Sequence, residues 1–171
     1  MKQSEKAVYY AENQAKNHSI YLWGGQGEKV KKLTAVKIAK MENSADNAGR
    51  VMKEIYIRNK EDLISKHTKA FDCSGLVIEA LKYAGVLPKD YDDTAAGLAK
   101  YFQDRTGTMY AKNGDLVYKW NSNRQIVHVG IITGNGRTVT EAKGRDYGVV
   151  TSEYNYHEWN ECSDMKDYYI K

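Results

Sequence analysis

The stretch FDCSGLVIEALKYAG, residues 71–85, decides how the rest of the chain is read. Leu76, Val77, Ala80, Leu81 and Ala84 fall at helical spacing and form one apolar stripe, so the pattern predicts a helix beginning at Cys73. Gly85 suits the position just past a helix C-terminus, and Pro88 stops any continuation. Asp72 is a capping residue type at the other end. A cysteine at such a start has two readings. It is a small hydrophobe used for packing, or it is a nucleophile. The second is chemically attractive, because the thiolate is the reactive form and a helix N-terminus favours an anion through its dipole and free N–H groups. Ser74 and Gly75 are small enough to let a substrate backbone come close.

A thiolate mechanism needs a base, and the base needs a group to orient it. His128 lies in the β-rich run IVHVGIIT, where a strand would hold the imidazole rigidly. Glu141 lies in the next such run, RTVTEA, after the turn signal GNG at 134–136. If that turn closes a hairpin, Glu141 comes within reach of the second ring nitrogen of His128 and fixes its tautomer. Asn135 is the alternative third group, although the turn already accounts for it. Cys162, His18 and His157 sit in unpatterned polar stretches, and Asp115 reads as a turn residue.

The bulk numbers exclude more than they assign. At 171 residues the chain fits one domain with a real core. The net charge of +4 is compatible with an anionic polymer substrate but too weak to argue for nucleic acid. Two cysteines make no disulfide framework, and with the four histidines they show no metal-ligand spacing. No apolar run approaches the length of a membrane span. The N-terminus, MKQSEKAVYYAENQAKNHS, has no signal-peptide core, so the expectation is a soluble, monomeric protein that reaches its site of action by release or delivery, as a phage or mobile-element enzyme would.

Along the chain, Ala7, Val8, Ala11 and Ala15 predict a first helix over 4–16 with Ser4 as its cap. Gly24 and Gly25 mark a turn. Residues 26 to 70 are basic, with eleven Lys or Arg against six Asp or Glu. Val51, Met52, Ile55 and Tyr56 place a helix there, capped by Asn43 or Ser44, so the segment is either a folded insertion or a mobile flap. Asp93 or Thr94 caps a short helix through Phe102. After residue 110 the pattern changes to strands: DLVYKW, IVHVGIIT, RTVTEA and YGVVTSEY. Helices first and antiparallel strands second is an α+β pattern.

Taken together, Tyr21-x-Trp23-Gly24-Gly25, Phe71-Asp72-Cys73-Ser74-Gly75-Leu76, Gly114-Asp115-Leu116-Val117 and His128-Val129-Gly130-Ile131 resemble the motifs of the NlpC/P60 cell-wall cysteine peptidases, relatives of papain in layout. The resemblance covers nearly the whole chain apart from residues 26 to 70. It implies an α+β, papain-like fold in which the nucleophile helix packs on a small antiparallel sheet carrying the histidine. It implies bacterial peptidoglycan peptides as the substrate, often cut at the γ-D-glutamyl link to the diamino acid, with other amides cut by some relatives, and it implies that no metal or cofactor is required. Cys73, His128 and Glu141 then form the catalytic triad, with Tyr21, Asp72 and Ser74 supporting substrate and oxyanion; the backbone N–H of Cys73 is a further oxyanion donor.

Two features depart from the family pattern. The third polar position, often His, Asn or Gln, is here Glu141, and the stretch from 26 to 70 replaces a short loop. Lying between two site motifs, that stretch is expected to flank the cleft, with its basic face toward anionic wall polymer or over the substrate. Three other readings remain at this point: the same triad used as an amidase or acyltransferase on another bond, a catalytically dead wall-binding module, and a nucleic-acid binder using the Lys-rich segment.

Overall fold

The computed structural model describes residues 1–170. In chain order its main elements are α1 (Gln3–Lys16), β1 (Ile20–Tyr21), β2 (Gln26–Lys29), α2 (Ala35–Glu42), α3 (Ala45–Lys60), β3 (Lys69–Phe71) and α4 (Cys73–Tyr83). They continue with α5 (Ala95–Tyr101), β4 (Arg105–Thr106), β5 (Leu116–Trp120), β6 (Ile126–Thr133), β7 (Thr138–Gly144), β8 (Gly148–Glu153) and β9 (Glu161–Ser163).

The second half of the chain builds one antiparallel sheet in the order β4-β9-β5-β6-β7-β8. Its inner face packs against α4, α1 and α5. Val77, Leu81, Leu98, Phe102, Leu116, Val129 and Ile131 are buried together there. A smaller sheet, β1-β3-β2, lies beside α4 and delivers the chain directly into it at Asp72.

The α4 start follows the sequence closely. Asp72 is the cap, with its carboxylate accepting the Gly75 N–H at 2.6 Å. Gly85 follows Ala84 with φ +79, the left-handed conformation glycine tolerates best. Thr94 caps α5 through the Gly97 N–H, and Ser44 caps α3 through the Asn47 N–H. One cap differs from expectation. α1 begins at Gln3, which places Ser4 inside the helix; the free end is met instead by the Glu5 carboxylate accepting the Lys2 N–H at 2.8 Å.

Residues 26 to 70 are folded. α2 and α3 close over the small sheet, burying Ile20, Leu22, Val30, Ile38, Val51 and Ala70 in a common cluster. Arg58 of α3 donates to the His18 and Tyr147 carbonyls, tying this segment to the main body. Among the described residues no helix is long and apolar enough to cross a membrane.

Candidate active site

The site starts from a close backbone approach. A side chain at Gly75 would place its Cβ 2.0 Å from the Gly25 carbonyl oxygen, and one at Gly25 would meet Phe71 backbone atoms at 2.9 Å. The Gly24-Gly25 turn therefore presses against the first turn of α4, and only glycine fits at either face. Asp72 joins the two. Its second oxygen accepts the Gly24 N–H at 3.1 Å, and Ser74 donates its hydroxyl to the carboxylate at 3.2 Å. Burial pushes the Asp72 carboxyl upward from its ordinary range, against the pull of these three hydrogen bonds. The result is a rigid cradle that fixes Cys73 at the helix N-terminus, half-buried, with Sγ 3.9 Å from the Val127 carbonyl.

His128 arrives from β6. The turn at 134–136 closes the β6–β7 hairpin, with Ile131 paired to Thr140. One residue beyond Thr140, Glu141 lies on the same face of the hairpin as His128. Glu141 reaches diagonally to His128 and meets its Nε2 at 2.8 Å. That leaves Nδ1 as the ring nitrogen for the thiol. Burial pushes the His128 imidazole down, but hydrogen bonding and charge from Cys73 and Glu141 outweigh it, and the ring is pushed up to about 9. Glu141 is itself buried, so the pair is shielded from solvent.

Cys73, His128 and Tyr21 line one cleft of about 500 Å³. The Tyr21 hydroxyl is held protonated, by burial first and then by the nearby Cys73 and Asp72. It is thus available as a hydrogen-bond donor. A slightly larger concavity of about 560 Å³, lined by residues of α1, α3 and β8, includes His18 but no cysteine. Among the described residues, no group of three or more His, Cys, Asp or Glu side chains could hold a metal ion.

The other candidates fall elsewhere. Asn135 sits in the hairpin turn at φ +58, and its N–H donates to Asn113, away from His128. Asp115 clamps a turn by accepting the Lys112 and Met165 N–H groups. Cys162 is fully buried under β5 and Trp159, and burial together with Asp115 and Asp164 pushes its thiol up to about 12. His157 is exposed.

Two contributions escaped the sequence reading. Trp159 stacks on His128, with ring centroids 5.7 Å apart and planes 25° from parallel. Gly130 makes room for it, since a Cβ there would lie 3.1 Å from the Trp159 ring. The His-Val-Gly spacing was the available signal, but nothing local pointed to a tryptophan two strands away. Arg145 was the second: it lines the cleft and lies over the Tyr21 ring, 5.3 Å from its centroid.

A cysteine at a helix N-terminus facing a histidine on an antiparallel sheet is the layout of a papain-like site. The NlpC/P60 family model matches residues 18–164, and the chain belongs to that family. Solved structures agree at the level of the fold. The P60 domain of an antigen from M. avium subspecies paratuberculosis is 19% identical, covering 95% of this chain and 94% of its own, with TM-score 0.54. The NlpC/p60 domain of the peptidoglycan hydrolase SagA is 18% identical, covering 95% and 98%, with TM-score 0.57. The peptidoglycan hydrolase RipB from Mycobacterium tuberculosis is 22% identical, covering 95% of this chain and 66% of its own, with TM-score 0.56. No curated protein matches the sequence.

Proposed function

We propose that this protein is a peptidoglycan hydrolase, a cysteine endopeptidase that cuts cell-wall stem peptides at the γ-D-glutamyl bond to the diamino acid. The observation that carries the reading is Cys73 and His128 lining one cleft, with Glu141 buried behind His128 at 2.8 Å, in a member of the NlpC/P60 family. Structural relatives that are themselves peptidoglycan hydrolases support the substrate class.

His128 takes the Cys73 proton, and the thiolate attacks the scissile carbonyl carbon. The carbonyl oxygen gains the negative charge and is met by the Cys73 backbone N–H and the Tyr21 hydroxyl. Collapse of the tetrahedral adduct breaks the C–N bond, and His128 gives its proton to the departing amine. A water, deprotonated by His128, then hydrolyses the thioester and frees Cys73. Glu141 holds the ring in one tautomer and balances the imidazolium throughout. Asp72 and Ser74 act as positioning residues, holding the start of α4 in place.

The same reading takes the chain as one catalytic domain carrying residues 26 to 70 as an insertion. Within that segment, residues 29–40, KVKKLTAVKIAK, hold five lysines and no acidic residue, and all five lysines are exposed. This face is suited to anionic wall polymer.

The test is mass spectrometry of defined peptidoglycan fragments after incubation with the wild type and with Cys73→Ala. A split that depends on Cys73 supports the peptidase and names the bond. Intact fragments with a thiol probe still attached to Cys73 would turn the reading toward another amide. Intact fragments with no label would turn it toward a binding module.

A further inference from the structure

Arg145 follows the end of β7, and its side chain is only 17% exposed. It donates from Nε at 2.9 Å and from Nη2 at 2.6 Å to a single oxygen of Glu42. Glu42 closes α2, in the segment outside the family motifs, and its side chain is fully buried. Its other oxygen accepts the Trp23 N–H at 3.0 Å. Glu42 is therefore spent, and the guanidinium is locked. A guanidinium carries five N–H donors in a planar fork. Nη1 of Arg145 has no hydrogen-bond partner among the described residues, and Arg145 lines the cleft that contains Cys73.

Tyr21 fixes the distance scale. Its ring lies 5.3 Å from the guanidinium carbon of Arg145, and it lines the same cleft as Cys73, so the free end of the fork shares that cleft with the reacting sulfur. Lys143 lines the same cleft from the same strand end, while Asp92 and Asp93 line it from the turn before α5. The two basic side chains Lys143 and Arg145 thus enter the cleft from the β7 end, with Arg145 over the Tyr21 ring.

We infer that Arg145, held in place by Glu42, is a specificity-determining residue that binds a free carboxylate of the substrate beside the bond being cut. The inference rests on the proposed hydrolase reading. A γ-linked glutamyl residue keeps its α-carboxyl group unused in the chain, immediately on the acyl side of the scissile bond. A pre-oriented guanidinium distinguishes that carboxylate from a carboxamide, because the amide presents one acceptor and no charge.

The experiment uses the full chain with Cys73→Ala, so that bound peptide is not consumed. Two synthetic stem peptides are compared by titration calorimetry, identical except for a free α-carboxylate or a carboxamide on the γ-linked D-glutamyl residue. The carboxylate peptide is expected to bind about tenfold more tightly, the scale of one charge-assisted hydrogen bond. Adding Glu42→Gln and Arg145→Gln together leaves no buried charge unpaired, and is expected to equalise the two affinities. Equal affinities in the parent overturn the inference, as does a preference that survives the paired change. A loss shared in parallel by both peptides would mark the ion pair as a structural latch and also overturn it. Failure of both peptides to bind does the same. Turnover by the wild type tests the hydrolase reading separately: cleavage of both peptides alike leaves that reading standing and removes the role of Arg145.

Discussion

His128 and Glu141 stand thirteen residues apart in the chain, on neighbouring strands, with Nε2 and Oε1 2.8 Å apart. The contact is diagonal across the β6–β7 hairpin, whose register pairs Ile131 with Thr140. It leaves Nδ1 for the thiol and, together with Cys73, raises the affinity of the imidazole for a proton.

Glu141→Gln is expected to lower kcat on muropeptides by at least about tenfold while leaving the fold intact, because the amide keeps the hydrogen bond but loses the charge that balances the imidazolium. The wild-type kcat/KM should fall on the alkaline side as His128 loses its proton near 9, and the variant should show that limb at lower pH. A pH–rate series on both proteins checks this.

The same shift enters stability. His128 binds its proton more tightly in the folded state, at about 9, than the ordinary histidine value of about 6.5 for the unfolded chain. Its stabilising contribution is complete below the unfolded value and is lost as pH rises through the folded one. Urea denaturation midpoints should therefore decline between about pH 6.5 and 9 in the wild type, and less so in His128→Gln.

The two cysteines should separate cleanly under alkylation. Cys162 is fully buried and its thiol is pushed up to about 12, whereas Cys73 opens into the cleft. Native protein at pH 8 should take up one iodoacetamide, located at Cys73 by peptide mapping, and denatured protein two. Rapid native labelling of Cys162 would contradict the buried placement.

Gly75→Ala should be far more disruptive than an ordinary glycine-to-alanine change in a helix. Alanine is normally favoured there by about 1 kcal/mol. At this position the added methyl meets a backbone oxygen at 2.0 Å, so α4 must move away from the Gly24-Gly25 turn. Lower thermal stability together with loss of hydrolysis is the expected outcome.

Arg145→Met alone should lower stability by about 3–5 kcal/mol, since it strands the buried Glu42 carboxylate. Pairing Arg145→Met with Glu42→Gln should restore most of the loss, a coupling that a double-mutant cycle in urea measures directly.

Much of this was legible in the chain itself. The apolar stripe after Cys73, the capping Asp72 and the Gly85 stop were all local signals, and α4 lies where they place it. The GNG turn between two β-rich runs likewise forecast the hairpin that joins His128 to Glu141. These readings succeeded because the physics involved is short-range: helical period, cap chemistry and turn conformation act over a few residues. The cap of α1 was misread because the helix begins at Gln3, so Ser4 lies inside its first turn.

The sequence by itself determined the α+β order of elements, the family motifs and the identities of the nucleophile, base and orienting acid proposed here. Only the tertiary structure decided what surrounds them. Trp159 reaches His128 from the segment leading into β9, two strands away in the sheet, and Glu42 reaches Arg145 across more than half the chain. Such pairings carry no periodicity and no spacing rule. They exist because folding removes each group from water and leaves it whichever partner the packed elements bring within reach.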